Sequence, residues 1–149
     1  MDEARYREAY RDINRWPCPF EPAILTRRCG CRRHRRLLLA EREAVACDGP
    51  DPRARCAAFL AELRERGRFA LGLTRIDGPL PHGKEIKVQA GGLLGLQVEL
   101  GGEAAGQVAD VDALLEAALA RWGALDRLPF EALARHVLRF RPRNRRRGG

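Results

Sequence analysis

Five cysteines lie within the first 56 residues of this chain, and the remaining 93 residues contain none. The centre of this cluster is Cys29-Gly30-Cys31, in which the glycine permits a local turn that directs both sulfurs toward one point. Thiolates bind zinc and iron–sulfur clusters, and the same thiols can form disulfides or act in redox chemistry. The cellular compartment decides between these uses.

The N-terminal residues have no cationic start followed by an apolar stretch, which is the pattern of a secretory signal. No apolar run approaches the roughly 20 residues that a membrane span needs. We therefore expect a cytoplasmic protein, where the reducing environment disfavours disulfides. An odd number of cysteines, five, also argues against a closed set of disulfides.

The sequence predicts a metal or cluster site held by four cysteines, with a fifth close by. The four predicted metal ligands are Cys18, Cys29, Cys31 and Cys47. Cys56 completes the predicted cofactor-binding set, but it shares a helix face with apolar residues and could equally belong to the core. Prolines on both sides of Cys18 restrict its backbone, which suits a ligand that must be held still. His34 is a possible nitrogen ligand.

The spacing of the cysteines favours an iron–sulfur cluster over zinc. Structural zinc sites usually contain two close cysteine pairs, and this chain has one pair with single cysteines ten and fifteen residues away. We therefore expect an iron–sulfur protein of electron transfer or redox sensing. The alternatives are a zinc-binding module that interacts with nucleic acid and a thiol redox enzyme using Cys29 and Cys31. No catalytic residue is predicted, and an enzyme is the weaker interpretation.

The net charge of +8 is concentrated in two arginine-rich segments. Residues 27–36 contain six arginines and no acidic residue, and residues 139–149 contain six more, which leaves −4 for the rest of the chain. These segments predict an acidic redox protein as partner, with nucleic acid as a further possibility and no membrane.

The elements that must position the cysteines are predicted to be helical, in an all-α domain of about five to six helices. Residues 82–100 are ambiguous, because a hairpin at 84–100 would make the fold α+β, but the broad apolar face favours a helix. Gly67 is expected to interrupt the third helix. The predicted helices span residues 2–15, 34–46, 52–66, 82–100, 108–122 and a final segment that begins at Pro129.

The domain organisation is predicted to be simple. Residues 1–140 form a single domain that carries the cysteine site within residues 16–56. Residues 141–149 contain arginine, asparagine, glycine and one proline, with no apolar side chain to bury, so a disordered basic tail is expected.

Overall fold

The computed structural model describes residues 3–70, 80–104 and 106–141. Within these ranges the chain forms six α-helices, one antiparallel β-hairpin and a short 3₁₀-helix at Leu125–Arg127. The helices are α1 (Glu3–Ile13), α2 (Glu21–Leu25), α3 (Pro50–Ala70), α4 (His82–Glu99), α5 (Val111–Trp122) and α6 (Phe130–Arg139), and the strands are β1 (His34–Leu39) and β2 (Arg42–Cys47).

The all-α prediction is wrong, because the segment expected as a helix at 34–46 is the β-hairpin. The alternative, an α+β fold, agrees with the observed helices and hairpin, but its hairpin was predicted at 84–100, where the structure has α4. A helix at 34–46 would have placed Leu38 on its apolar stripe, but in β1 this side chain is 72% exposed. β2 instead buries Ala44, Val45, Ala46 and Cys47 in succession, as a strand covered on both faces does.

The turn of the hairpin explains why the sequence concealed it. Leu39 pairs with Arg42, so only Ala40 and Glu41 connect the strands, and both have positive φ, at 51° and 72°. Two-residue hairpin turns of this kind usually contain Asn-Gly or Asp-Gly, because those residues tolerate positive φ. Ala-Glu is typical of a helix, so local propensity and the final structure disagree here.

The core lies between α3, α4, α5 and α6. It reaches residues 16–20, the proline-rich segment that precedes α2. Phe59 is at its centre, with its ring centroid 6.3 Å from that of Phe20 and 6.0 Å from that of Phe130. The helical interpretation of residues 108–122 agrees with the structure, where α5 buries Val111, Leu115 and Ala118. Helix α3 continues through Gly67, contrary to the predicted interruption, because this glycine is buried against Val88 and Val137.

Glycines allow α4 and α6 to pack closely. A Cβ atom added to Gly91 would lie 2.9 Å from the Cα of Val137 and 2.9 Å from the Cβ of Phe140. A Cβ atom on Gly95 would lie 2.6 Å from the Cβ of His136. These distances are too short for real contacts, so the glycines in α4 serve helix packing despite their poor helix propensity.

Three further predictions can be placed relative to the described residues. The sequence also predicts a turn at Asp77-Gly78-Pro79, and this turn and residues 142–149 of the expected basic tail lie outside them. None of the helices within residues 3–70, 80–104 and 106–141 combines the length and the hydrophobicity that a membrane-spanning helix requires.

The replacement Gly91→Ala should destabilise the protein by about 1–3 kcal/mol, because the new methyl group would press on the backbone of α6. Gly83→Ala is the matched control in the same helix, since nothing lies within 4 Å of the position its Cβ would take. The control should leave the free energy of unfolding unchanged or raise it by less than about 1 kcal/mol. Urea denaturation of both variants checks this packing, and equal stabilities would contradict it.

Candidate functional site

β2 is bordered on its second edge by the segment Trp16–Cys18. The Cys18 N–H donates to the Val45 carbonyl at 3.0 Å, and the Cys47 N–H donates to the Trp16 carbonyl at 2.7 Å. Pro17 therefore stands opposite Ala46, as in an antiparallel pair. A proline fits here because its missing N–H is not needed at this position. This pairing brings Cys18 beside the end of β2 and so close to Cys47.

Side chains from α3 and α4 fix the proline-rich segment. Arg53 donates from Nε to the Pro17 carbonyl at 3.0 Å. Gln89, only 1% exposed, donates to the Pro19 carbonyl at 3.3 Å and accepts from the Ala23 N–H at 3.2 Å. A buried glutamine on the apolar face of α4 was not predicted to support the site, because only the tertiary fold brings it to Pro19.

The end of α2 directs the chain into Cys29-Gly30-Cys31. Arg27 takes the left-handed conformation with φ of 62°. Its N–H donates to the Ile24 carbonyl at 3.0 Å, and the Arg28 N–H donates to the Ala23 carbonyl at 2.9 Å. These two bonds form a Schellman motif, which normally contains glycine in place of Arg27.

Gly30 joins this segment to the start of α5. Its N–H donates to the Val108 carbonyl at 2.9 Å, and its carbonyl accepts from the Val111 N–H at 2.9 Å. A Cβ atom on Gly30 would lie 3.0 Å from the carbonyl oxygen of Ala109. The glycine between the two cysteines is therefore needed for this close approach of two backbones.

Four of the five cysteines line one small cavity of about 20 Å³, although they come from four separate segments. They are Cys18 before α2, Cys31 before β1, Cys47 at the end of β2 and Cys56 in the second turn of α3. This volume is little more than the minimum that holds one water molecule, so the cavity is the size of a single ion. The remaining lining is mostly apolar, apart from Arg33, His34, Arg53 and Asp112.

The structure therefore brings together three of the four predicted metal ligands and adds Cys56 to them. The fourth, Cys29, is buried in the adjoining core and does not line the cavity. It is still close enough to Cys31 and Cys56 for their charges to affect its pKa. His34 lines the cavity, with Nδ1 within hydrogen-bond distance of the Cys31 carbonyl.

Backbone groups oppose part of the effect of burial at two of the cysteines. Burial raises the pKa of Cys18 and Cys31, whereas the nearby backbone of Phe20 acts to lower it at Cys18 and that of Arg33 and Asp112 acts to lower it at Cys31. The Asp112 N–H itself donates to Asp110 Oδ1 at 3.2 Å. Hydrogen bonds from backbone N–H groups to sulfur favour the thiolate form of a cysteine. They are also among the interactions that tune the reduction potential of clusters held by cysteine.

All five cysteines are free thiols. Burial, together with the smaller effect of the charges of neighbouring cysteines, raises the pKa of Cys18, Cys29 and Cys56 to about 12. Burial likewise raises the pKa of Cys31. The thiols of these four cysteines are therefore protonated at neutral pH. Within the described residues, no group of three or more His, Cys, Asp or Glu side chains has an arrangement that would hold a metal ion directly.

A buried carboxylate forms ion pairs with three arginines close to the cavity. Asp112 is 1% exposed and pairs with Arg32 at 2.7 Å, with Arg33 at 2.9 Å and with Arg55. Burial alone would raise the pKa of Asp112, but the hydrogen bonds from Arg32 and Arg33 and the charge of Arg55 hold it below its usual value. From the sequence, Asp112 was only an acidic residue in the first turn of a helix.

In the metal-free, reduced protein, stability should fall as pH rises above about 8.5, the usual pKa of an unfolded cysteine. The folded pKa of Cys18, Cys29 and Cys56 is raised to about 12, so stability is complete below pH 8.5 and is lost toward pH 12. Each such thiol contributes a slope of about 1.4 kcal/mol per pH unit.

Urea denaturation at pH 7.5 and pH 9.5 measures this slope, and Cys18→Ala should reduce it by the contribution of one thiol. An unchanged free energy of unfolding between the two pH values would mean that the thiols ionise freely in the folded protein.

No family model, curated protein or solved structure matches this chain. Its function is therefore inferred from the residues that surround the cavity.

Proposed function

We propose that this is a cytoplasmic protein that binds an iron–sulfur cluster through cysteine thiolates and serves electron transfer or redox sensing. The observation that carries the proposal is the cavity at which Cys18, Cys31, Cys47 and Cys56 meet. Four cysteines supply the ligand number that such clusters usually have. We assign these four as the ligands, so that Cys56 replaces Cys29 in the set predicted from spacing alone.

The surroundings of the cavity support ligand chemistry. Prolines on both sides of Cys18 and the Gly30 contacts fix the backbone of two ligands before anything binds. The nearby backbone of Phe20 at Cys18, and of Arg33 and Asp112 at Cys31, acts to lower the pKa of these thiols against the effect of burial and so favours their thiolate forms. Arg33 and Arg53 line the same cavity and would offset the negative charge of four thiolates.

Binding would require a change in the thiols. Because burial keeps the thiols of Cys18, Cys31 and Cys56 protonated at neutral pH, each of these three ligands must release a proton, so affinity should increase as pH rises. The side chains must also move from their packed positions toward a common centre, since none of them is pre-arranged around an ion. Reduced thiols of this kind persist in the cytoplasm, which agrees with the proposed location.

A thiol redox enzyme is less consistent with the site. Reactive cysteines have a lowered pKa and an exposed sulfur, because the thiolate is the nucleophile. Here burial raises the pKa of Cys29 to about 12 and raises the pKa of Cys31 above its ordinary value. The two thiols of the Cys-Gly-Cys segment therefore lack the activation that catalysis needs.

Zinc is the second candidate, and the volume of the cavity favours it. A space of about 20 Å³ is suited to a single ion, whereas a cluster would require the lining side chains to spread further. Four thiolates form a common structural zinc site. The function would then be to stabilise the N-terminal part of the fold.

Anaerobic purification of the full chain, with iron, sulfide and zinc quantified, tests the proposal. We expect a brown protein with iron and sulfide in equal amounts. Separate serine replacements at Cys18, Cys31, Cys47 and Cys56 should each reduce the bound iron by more than about half, because a cluster needs all of its thiolates. Cys29→Ser is the matched control and should retain it.

Other outcomes are informative. A colourless protein with one equivalent of zinc, lost in the same four variants, would replace the cluster by the second candidate. Loss of iron in Cys29→Ser with retention in Cys56→Ser would restore the ligand set predicted from spacing. A protein that carries and takes up neither metal would contradict a metal site and leave the cysteines as core residues.

A further inference from the structure

The two arginine-rich segments of the sequence meet at a groove of about 650 Å³, which is distinct from the cysteine cavity. Arg27 and Arg28 line it from the end of α2, and Arg139 and Arg141 line it from the end of α6. The described lining contains no acidic residue; its other members are Thr26, Leu94, Ala104, Gly106, Gln107 and Phe140. The segments are more than one hundred residues apart in the chain, so this positive surface is created by the fold.

The arginines of the groove differ from their neighbours in the first segment by having no carboxylate partner. Arg32 and Arg33 pair with Asp112, and Arg36 pairs with Glu43 at 2.9 Å. None of the four groove arginines has an ion pair with any residue in the described parts of the chain, although Arg141 donates to two backbone carbonyls. Their charges are therefore available to an anionic ligand.

The position of Arg28 indicates how such a ligand would be held. Its guanidinium lies over the Phe140 ring, 5.7 Å from the centroid, and its buried Nε has no hydrogen-bond partner in the described structure. Because Arg28 covers one face of the ring, a base cannot stack on that face. The groove therefore presents guanidinium groups, which suit phosphate oxygens, and little that could read a base.

Positive charge also surrounds the groove. The Lys87 ammonium donates to the Phe140 carbonyl at 2.8 Å. Burial lowers the pKa of Lys87, and the nearby charges of Arg141 and Lys84 lower it further. Beyond Arg141 the sequence continues with four more arginines in eight residues. The positive charge thus continues along the sequence beyond the groove, which suits a long polyanion better than a compact one.

We propose that this groove binds the phosphodiester backbone of nucleic acid without sequence preference, with Arg27, Arg28, Arg139 and Arg141 as the phosphate contacts. The proposal does not depend on the metal site, because none of these arginines lines the cysteine cavity. Nonspecific binding of this kind has dissociation constants on the order of 10⁻⁴ to 10⁻⁶ M at physiological salt.

Fluorescence anisotropy with labelled single-stranded DNA, single-stranded RNA and duplex DNA of equal length, between 50 and 200 mM salt, tests the proposal. The double variant Arg27→Gln, Arg139→Gln should bind about tenfold more weakly at 50 mM salt. It should reduce the slope of log affinity against log salt by about 1.4 on single strands and about 1.8 on duplex. Arg121→Gln with Arg127→Gln is the matched control, because both arginines are exposed, lie outside the groove and remove the same charge.

An equal loss of affinity in the control would overturn the groove assignment, since net charge alone would then explain binding. A chain that ends at Arg141 should retain measurable, groove-dependent binding, and complete loss would place the contacts in the removed residues. If polyglutamate binds as tightly as nucleic acid, and the double variant weakens that binding as well, the groove is a site for acidic protein instead of nucleic acid. No salt-dependent binding at 50 mM would overturn the proposal outright.

Discussion

The backbone hydrogen bonds of Gly30 with Val108 and Val111 are the constraint on which the rest of the site depends. They attach the Cys-Gly-Cys segment from the N-terminal part of the chain to the start of α5, about eighty residues later in the sequence. This attachment brings Cys31 and Asp112 to the same cavity. It also places the arginines that follow Cys31 against the Asp112 carboxylate. A side chain on Gly30 would press on the backbone at this junction, so the glycine is a structural requirement.

The same junction divides the basic segment 27–36 into two electrostatically different parts. Arg32 and Arg33, directly after the cysteine pair, form ion pairs with Asp112 next to the cavity. Arg27 and Arg28, before the pair, face the groove together with the end of α6. The net charge of +8 therefore does not describe a uniformly basic surface. Arg32 and Arg33 have carboxylate partners, whereas Arg27 and Arg28 have no ion pair within the described residues.

The sequence predicted the helices best where apolar periodicity was strong, as in α5, and where a broad apolar face outweighed the glycines at 91, 92 and 95, as in α4. It failed at residues 34–47 because the turn residues Ala40 and Glu41 are typical of helices and reveal nothing about positive φ. The cysteine cluster was visible from spacing, but spacing did not show that Cys56, and not Cys29, lines the cavity. Which sulfur faces the cavity depends on how α3 packs against β2 and α5, and this is a property of the tertiary structure.

Gln89 and Asp112 illustrate the same limit. Each looks ordinary in the sequence, and each is almost completely buried, where a polar group must find partners. Those partners, Pro19 and Ala23 for Gln89 and three arginines for Asp112, come from distant parts of the chain. A local sequence pattern cannot show such contacts. The clustering of the cysteines in the sequence nevertheless indicated the part of the chain that lines the cysteine cavity.

The central claim is that four thiolates from the cavity hold a metal centre together. X-ray absorption at the metal edge of the anaerobically loaded, full-length protein tests it most directly, because scattering identifies the atoms bonded to the metal. We predict that only sulfur atoms are bonded to the iron and that iron–iron scattering from a cluster is present. The spectrum of the His34→Ala variant should be the same as that of the unmodified protein. Bonding to nitrogen or oxygen, or a metal whose sulfur scattering is unaffected by Cys56→Ser, would contradict the account.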